Sequence, residues 1–346
     1  MKKEKLLVTP EQEKIIRLED SLLSIKELLR EQKLSTKYWQ HQSKLADDRL
    51  AVLTSLNKTV KPIRIKPLRA TSKSETTPLL ILSDWHVEEH IEPSTVNRLN
   101  EYTPDIADDR IKKLFPRAMK LIDIWRKDTK INNLVIGILG DMINGYIHKD
   151  FNESNFMSPT EAIIWVERRI ISGIDFLLNN GNFKKIHVIC LFGNHGRTTE
   201  QARVKLGYKN SYEWLMYQHI KQHYKDTKEV NIQVENGYHG YIDVYGRTIR
   251  MHHGDGIRYN GGTGGIFIPA NKAVKAWNQS IPAFLDVFGH YHQHFDGDIW
   301  ISNGSLIGYN LFAIKKAKAI YREPSQTLIF LEKTMGKTGV HQVYVK

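Results

Sequence analysis

Five short polar motifs hold most of the residues in this 346-residue chain that could do chemistry. In chain order they are Asp84-Trp85-His86, Gly140-Asp141-Met142-Ile143-Asn144, Gly193-Asn194-His195, His252-His253-Gly254 and Gly289-His290-Tyr291-His292. Imidazole with carboxylate and amide oxygen suits Zn, Mn or Fe, whereas calcium prefers oxygen ligands alone. The set is large enough for two metal ions, which can stabilise both the attacking and the leaving oxygen of a phosphoryl displacement. One such motif alone would indicate only a turn, but the five together predict a dinuclear metal site.

Each motif follows a short apolar run that we interpret as a strand. The runs are Leu79–Ser83, Leu134–Leu139, Ile186–Phe192, Ile249–His252 and Phe284–Phe288, and helical patterns lie near 108–127, 160–179, 211–224 and 270–279. Strands that alternate with helices indicate an α/β domain with a central sheet. In such a sheet, sites form beyond the carboxyl ends of the strands. The stretch 230–250 looks antiparallel and the tail from Ile299 is again strand-rich, so we expect a mixed or doubled sheet.

The five motifs in this order resemble the signature of the calcineurin-like metallophosphoesterases, over roughly residues 78–310. The second motif, GDMING, lacks the Asp-Arg pair that follows Gly-Asp in eukaryotic protein phosphatases, so the chain is more similar to prokaryotic and phage-type phosphoesterases. The resemblance implies an α/β (α+β) fold, a four-layer αββα sandwich in which two sheets pack face to face with helices outside. It also implies a water or hydroxide held between two divalent ions as the nucleophile. We expect Mn²⁺, with Zn²⁺, Fe²⁺ and Ni²⁺ as alternatives.

The resemblance also implies a role for each motif residue. Asp84, His86 and His292 would bind the first ion, Asn194, His253 and His290 the second, and Asp141 would bridge both. We choose His253 over His252 because the histidine of the family directly precedes glycine. His195 would stand outside the metals as a general acid that protonates the leaving oxygen. Asn144 would support the site without being a ligand.

Three further residues are candidate substrate contacts, each with a simpler alternative. Arg197 could reach a substrate phosphate or be a surface arginine. The glycine-rich loop Gly256–Gly265 could be a flap that carries Arg258 and Tyr259 over the site, or an inert loop. Its glycines are too irregular for a phosphate-cradling nucleotide loop. The lone cysteine, Cys190, excludes an intramolecular disulfide and ends an apolar run, so we expect it in the core rather than as a nucleophile.

The first 77 residues differ in character from the rest. Thr9-Pro10 followed by acidic residues predicts the start of a helix. An apolar seam follows, at Ile15, Leu18, Leu22, Ile25 and Leu29. We therefore divide the chain into a helical segment at 1–57, a basic linker at 58–77 and a metallophosphoesterase catalytic domain at 78–346. The seam is about two heptads long and indicates either a coiled coil that forms a homo-oligomer or a helix folded back on the main body.

Basic charge is concentrated near the N-terminus. The formal net charge is +12, and residues 1–77 contribute +7 of it through seventeen Lys/Arg against ten Asp/Glu. Six basic residues and no acidic one lie between Lys58 and Lys73. Such a cluster attracts polyanions such as nucleic acid, or it is merely a solvated linker.

Three functions are compatible with these observations. The favoured one is a metal-dependent phosphodiesterase that cleaves nucleic acid, related in mechanism to nucleases of the same superfamily. The second is a phosphatase or phosphodiesterase that acts on a small-molecule or protein phosphoester. The third is a nucleic-acid-binding assembly protein on a phosphoesterase scaffold. No apolar run is long enough to span a membrane and no signal-like segment opens the chain, so we expect no membrane partner and a cytoplasmic location.

Overall fold

The structure is a computed structural model that describes residues 10–56, 63–65, 74–147, 151–258, 265–311, 313–317 and 319–346. The chain divides into two compact units, Met1–Lys61 and Pro62–Lys346. In the first unit, α1 runs from Pro10 to Leu56. The five side chains of the apolar seam on α1 are all 50–61% exposed. The predicted helix is therefore present, and the coiled coil stays a prediction.

The second unit contains two six-stranded sheets. The first sheet consists of β2 (Thr76–Leu82), β3 (Asn133–Ile138), β4 (Lys185–Cys190), β5 (Val230–Val234), β11 (Ser325–Glu332) and β12 (Gly336–Tyr344). Its strand order is β12-β11-β2-β3-β4-β5. The strands from β2 to β5 are parallel, whereas β11 is antiparallel to both of its neighbours. The strand β5 joins this sheet beside β4 because a helix precedes it, so it is not part of the antiparallel region expected at 230–250.

The second sheet carries the remaining motifs. It consists of β1 (Ile63–Ile65), β6 (Gly240–Val244), β7 (Arg247–His252), β8 (Leu285–Phe288), β9 (Phe295–Asp296) and β10 (Trp300–Ser302), in the order β1-β6-β7-β8-β10-β9. A hairpin joins β6 to β7, and β7, β8 and β10 are parallel. Part of the segment 58–77, where we expect a linker, thus contributes β1 to this sheet and the first residues of β2 to the other.

Three of the helices of this unit begin at a side-chain cap. They are α2 (Pro104–Arg126), α3 (Phe151–Ser154), α4 (Pro159–Asn180), α5 (Tyr212–His223) and α6 (Phe267–Trp277). Side-chain oxygens of Thr103, Ser158 and Ser211 accept backbone N–H groups in the first turns of α2, α4 and α5. Such caps satisfy N–H groups that have no partner within the helix. Within the described ranges, no helix combines the length and apolar character that a membrane span requires.

Three apolar cores separate the layers of this unit. Between the sheets, residues such as Leu79, Ile81 and Val135 meet Ile249, Met251 and Val287. Alternate residues of the first sheet point the other way and pack against α2, α4 and α5. On the outer face of the second sheet, Ala270 and Val274 of α6 pack with Phe288 and Trp300. The unit is therefore a mixed α/β sandwich whose two sheets are flanked by helices.

Candidate metal centre

The five motifs all lie in loops that follow strand ends. Three loops follow β2, β3 and β4, which are neighbours in the first sheet, and two follow β7 and β8, which are neighbours in the second. Backbone hydrogen bonds join these loops: Trp85 N–H donates to the Asp141 carbonyl oxygen over 2.8 Å, and Gly289 N–H donates to that of His253 over 2.8 Å. The fold thus brings together motifs as distant in the sequence as those of His86 and His292, which are 206 positions apart.

Five of the candidate ligands have a left-handed backbone, which only glycine adopts freely. They are Asp84, His86, Asp141, His290 and His292, with φ between 45° and 69°. The conformation costs about 1–2 kcal/mol for a residue with a Cβ. Strain of this kind persists only where the surroundings over-determine it, and it clusters at functional sites. In the Asp84-x-His86 and His290-x-His292 motifs, the first and third residues are both left-handed. Both candidate ligands of each motif therefore have the same backbone conformation.

The first group of donors consists of Asp84, His86 and His292. The Nε2 atom of His292 lies 3.4 Å from Oδ1 of Asp84 and 3.2 Å from Nε2 of His86. Asp84 and His86 are buried, and His292 is partly exposed. The carboxylate of Asp84 also accepts the backbone N–H of His290 at 3.0 Å, which ties this group to the loop of the second group.

The second group consists of Asp141, His253 and His290, with Asn194 beside them. The Nε2 atom of His253 lies at its centre. It is 3.0 Å from Oδ2 of Asp141, 3.0 Å from Oδ1 of Asn194 and 3.2 Å from Nδ1 of His290. The structure therefore assembles the same two sets that the resemblance implies, with Asp141 placed in the second.

The chemistry of the second group fits a divalent metal ion. Nδ1 of His253 donates a hydrogen bond to the Leu139 carbonyl oxygen at 2.8 Å, so in the neutral imidazole the lone pair is on Nε2. That lone pair faces the oxygens of Asp141 and Asn194, which are also acceptors. Donor atoms 3.0–3.4 Å apart match ligands that share an ion at about 2.0–2.2 Å. Histidine that is oriented by a backbone carbonyl is also the usual arrangement in metal sites.

Each facing pair of carboxylate and histidine shifts the pKa of both partners. Burial acts to lower the pKa of His253, but the charge of Asp141 and its hydrogen bond outweigh burial and raise the pKa well above its usual value. The pKa of His292 is raised in the same way by Asp84. Burial acts to raise the pKa of both carboxyls, yet the facing histidines hold both below their usual range. A metal ion that binds here must displace the protons of these histidines.

His195 lies beside the two groups and belongs to neither. Its Nδ1 donates to the Asn144 carbonyl oxygen at 3.0 Å, and its backbone N–H donates to Oδ1 of Asp141 at 2.7 Å. Its Nε2 lies 3.9 Å from Oδ2 of Asp141, and its ring meets that of His86 edge-on at 4.7 Å. Burial lowers the pKa of His195, while the Asp141 charge and the Asn144 carbonyl act to raise it. The position suits a proton donor or acceptor at the edge of the centre.

Asn144 and Arg197 both form hydrogen bonds with residues near the candidate ligands. Asn144 is buried and donates from Nδ2 to Oδ1 of Asn155 at 2.9 Å. Among the described residues, no donor lies within hydrogen-bond distance of Oδ1 of Asn144. The guanidinium of Arg197 donates to the carbonyl oxygens of Asn194, Thr199 and Glu200 over 2.6–3.0 Å, so it braces its own loop.

The remaining candidates belong to neither donor group or lie outside the described ranges. Arg258 is exposed, and Tyr259 lies outside the residues that the structure describes, as does most of the proposed flap. His252 points away from the centre: its ring stacks on Phe288, and its Nε2 lies 3.7 Å from Oδ1 of Asp286. The structure therefore places His253, and not His252, in a candidate donor group. Cys190 is buried, and burial raises the pKa of its thiol, which makes it a poor nucleophile.

Sequence reasoning misses the residues that hold the ligands in place. Ser83 donates from its hydroxyl to Oδ2 of Asp84 at 2.5 Å, and Asn303 donates to that hydroxyl at 2.8 Å. The side-chain oxygen of Gln326 accepts the backbone N–H of Ser83 at 2.9 Å and the indole N–H of Trp85 at 3.2 Å. Ser83 and Gln326 are 243 positions apart, so no local motif signals the contact.

Glu213 and Glu88 are also outside the motifs and contact their loops. Glu213 accepts backbone N–H groups from the second and third motif loops, and Glu88 accepts that of Gly145 at 2.8 Å. Burial raises the pKa of each to about 7, although their backbone hydrogen bonds act in the opposite direction. Both oxygens of Glu213 accept N–H groups, so we assign Glu213 as a carboxylate when the two loops are formed.

No protein-family model matches the chain, and no curated protein matches it in sequence. Solved structures that are similar to it include the hypothetical protein PH1004 from Pyrococcus horikoshii OT3, at 12% identity and a TM-score of 0.38, over 78% of this chain and 89% of that one. Vps29 from Chaetomium thermophilum is similar at 9% identity and a TM-score of 0.30, over 78% of this chain and 99% of that one.

A third similar structure is the sulfate thiohydrolase SoxB from Thermus thermophilus in complex with glycerol. It has 9% identity and a TM-score of 0.30, over 80% of this chain and 57% of that one. With TM-scores of 0.30–0.38, these similarities assign neither a family nor an activity to the chain. The case for a function therefore rests on the donor groups themselves.

Proposed function

We propose that this chain is a dinuclear-metal-dependent phosphoesterase of the calcineurin-like type, and that it hydrolyses phosphodiester bonds in nucleic acid. The observation that carries the proposal is the convergence of seven side chains into two adjacent donor groups, in the motif order that the resemblance implies. Each group combines carboxylate with imidazole and, in the second, an amide oxygen. This donor set suits Mn²⁺, Fe²⁺ or Zn²⁺, and we propose Mn²⁺.

Two divalent ions in these groups would bind phosphoryl oxygens and lower the pKa of a water that attacks phosphorus. The role of this chain is to hold the ligands rigidly before substrate arrives. Asp84 and Asp141 supply negative charge from buried positions, and we assign Asp141 to contact both ions. Because the left-handed backbone and the buried hydrogen bonds fix these side chains, little reorganisation is needed in the transition state.

His195 would move the proton. Its Nδ1 is held by the Asn144 carbonyl, so Nε2 is the atom that can face a leaving oxygen. An anionic phosphoester beside Nε2 favours the imidazolium and raises the pKa that burial has lowered. Nε2–H would then donate its proton to the leaving oxygen. The buried thiol of Cys190 is not used, and no covalent enzyme intermediate is required.

The substrate and partner proposals rest on charge and on the exposed seam of α1. The cluster between Lys58 and Lys73 would neutralise backbone phosphates of a polynucleotide. The seam side chains of α1 are at least half exposed, and a second copy of this helix would bury them. We therefore propose a homo-oligomer that presents the basic segments and active sites to one polymer.

Substrate profiling tests the proposal most simply. Purified protein with Mn²⁺ would be assayed on single- and double-stranded DNA, RNA, bis-p-nitrophenyl phosphate and p-nitrophenyl phosphate, alongside Asp141→Asn. We expect polynucleotide and diester hydrolysis to exceed monoester hydrolysis, and Asp141→Asn to abolish it. A preference for monoesters would point to a phosphatase. Inactivity on all substrates would contradict the enzymatic proposal and favour a binding protein.

A further inference from the structure

One buried carboxylate from helix α5 joins the second and third motif loops. Oε1 of Glu213 accepts the backbone N–H of Met142 at 2.6 Å, and Oε2 accepts that of Gly193 at 2.7 Å. Met142 directly follows Asp141, and Gly193 directly precedes Asn194. The two oxygens of a single side chain therefore span the loops that carry two donors of the second group.

The surrounding chain is built to admit this side chain. A Cβ added at Gly196 would lie 2.6 Å from Cγ and 2.9 Å from Cδ of Glu213, so only glycine leaves the space that the carboxylate fills. The backbone N–H of Tyr212 donates to the Gly196 carbonyl oxygen at 2.8 Å. The hydroxyl of Ser211 accepts the N–H of Trp214 at 3.2 Å. The first turn of α5 is thus fixed against the loop after β4.

We propose that Glu213 is a positioning residue for the second metal ion. It would hold Asp141 and Asn194 at the separation that lets them share one ion with His253. This inference rests on the proposed function, because it assumes that the second group binds a metal. A residue that merely anchored α5 would affect folding stability and leave the affinity for the ion unchanged.

Removal of the carboxylate would leave the buried N–H of Met142 and the partly buried N–H of Gly193 without their acceptor. Such groups seek other partners, and the two loops would then separate or twist. Partners that orient metal ligands are typically worth about 10–100-fold in metal affinity. Both hydrogen bonds of Glu213 go to loops of the second group, so we expect the loss to fall on the second ion. The first ion keeps Asp84, His86 and His292 and shares only Asp141, so we expect its affinity to fall less than that of the second ion.

Calorimetric titration of the full chain with Mn²⁺ tests this inference. The variants are Glu213→Gln and Glu213→Ala, and Glu161→Ala is the matched control. Glu161 also lies in the first turn of a helix and accepts the backbone N–H of Ser158 at 2.9 Å, but in the capping box of α4. We expect both Glu213 variants to lose about 10–100-fold in affinity for one of two ions. Glu161→Ala should keep both affinities.

A rescue variant distinguishes the effect of the carboxylate from an effect on the helix that carries it. An aspartate at position 196 would place its carboxyl group in the space that the Glu213 side chain vacates, because a Cβ at this position lies 2.6 Å from Cγ and 2.9 Å from Cδ of Glu213. The double variant Gly196→Asp/Glu213→Ala should therefore regain most of the lost affinity. Glu213→Gln preserves shape and size, so it reports on the charge even if Glu213→Ala does not fold.

The outcomes distinguish this inference from the proposed function. If the unaltered protein binds fewer than two Mn²⁺ ions, the proposed function is wrong. If it binds two and both Glu213 variants bind them with the same affinities, the positioning role is wrong. A loss in Glu213→Ala that Gly196→Asp does not restore would likewise contradict the role of the carboxylate. Selective loss of one ion with rescue would establish it.

Discussion

The imidazole of His253 donates from Nδ1 to the Leu139 carbonyl oxygen at 2.8 Å, and this contact fixes which nitrogen faces the centre. Leu139 follows β3 in the first sheet, and His253 follows β7 in the second. The hydrogen bond therefore couples the two sheets at the point where their loops meet. Its consequence is that Nε2 faces two oxygens at 3.0 Å, an arrangement that only a cation or a proton stabilises.

Adjacent histidines provide a matched pair of variants. His253→Gln should lower the affinity of the protein for one Mn²⁺ ion by more than about tenfold, because Nε2 lies at the centre of the second group. His252→Gln should leave Mn²⁺ affinity unchanged, since its ring packs on the other face of the same strand. Calorimetric titration of both variants checks this. Equal losses of Mn²⁺ affinity in the two variants would show that the substitutions disturb the strand, and that His253 is not a ligand.

His195 should serve proton transfer and not metal retention. His195→Gln is expected to keep both Mn²⁺ ions while turnover of a diester with a poor leaving group falls by about 10²–10⁴. The loss should be smaller for a p-nitrophenyl diester, because p-nitrophenolate needs little protonation. The measurement is kcat on both substrates with metal content determined in parallel. An equal loss on both substrates would argue against a general acid.

Metal affinity should increase with pH. In the metal-free protein the pKa of His253 is well above its usual value and that of Asp141 well below, so their ion pair persists at neutral pH. It stabilises the metal-free fold until the pH rises through the folded pKa of His253, and Mn²⁺ binding must release that proton. We expect tighter binding at pH 8 than at pH 6, with proton release detectable as a buffer-dependent enthalpy. An affinity that is independent of pH would contradict the competition between Mn²⁺ and the proton of His253.

Gly193 leaves room for a candidate ligand. A Cβ at this position would collide with the carboxylate and the backbone nitrogen of Asp141. Gly193→Ala should therefore displace Asp141, weaken Mn²⁺ binding and lower the free energy of unfolding by about 1–3 kcal/mol. Gly237→Ala is the control, because a Cβ there meets nothing within 4 Å. Thermal unfolding and metal titration of both variants check the expectation, and similar behaviour of the two would refute it.

Deletion of residues 1–61 should remove the seam and part of the basic cluster while it leaves catalysis intact. The cut follows the boundary between the two compact units and keeps β1 in its sheet. We expect the remaining chain to hydrolyse small diesters. Light scattering should show fewer chains per particle, because the seam that joins the copies is lost. The basic residues Lys58 and Lys61 are also lost, so polynucleotide binding should weaken with a shallower dependence on salt. An unchanged mass and salt slope would exclude the proposed role of the segment.

The residues of the two candidate donor groups can be recognised in the sequence because each lies in a local motif. Each donor directly follows a buried strand, and parallel strands place their carboxyl ends together. The paired motifs Asp84-x-His86 and His290-x-His292 are therefore recognisable without a structure. The residues that orient the ligands are not local: Glu213 lies 71 positions from Met142, and its role depends on packing that no motif encodes.

The fold is predicted where periodicity is strong. The main helices begin within about four residues of the predicted starts, and the apolar runs before the motifs become strands. The sequence does not reveal that Val230–Val234 pairs in parallel with β4. The direction of this pairing depends on the helix that precedes the strand. Nor does the sequence reveal that Ile63–Ile65 pairs with β6, since three residues are too few for a pattern.

The central claim is that the two donor groups hold two ions close together, and counting those ions tests it most directly. The metal-free protein would be titrated with Mn²⁺ while electron paramagnetic resonance follows the bound ions. We predict two ions per chain, with magnetic coupling between them that appears as the second ion binds and is absent in Asp141→Asn. Binding of a single ion, or of two ions without coupling, would contradict the dinuclear centre.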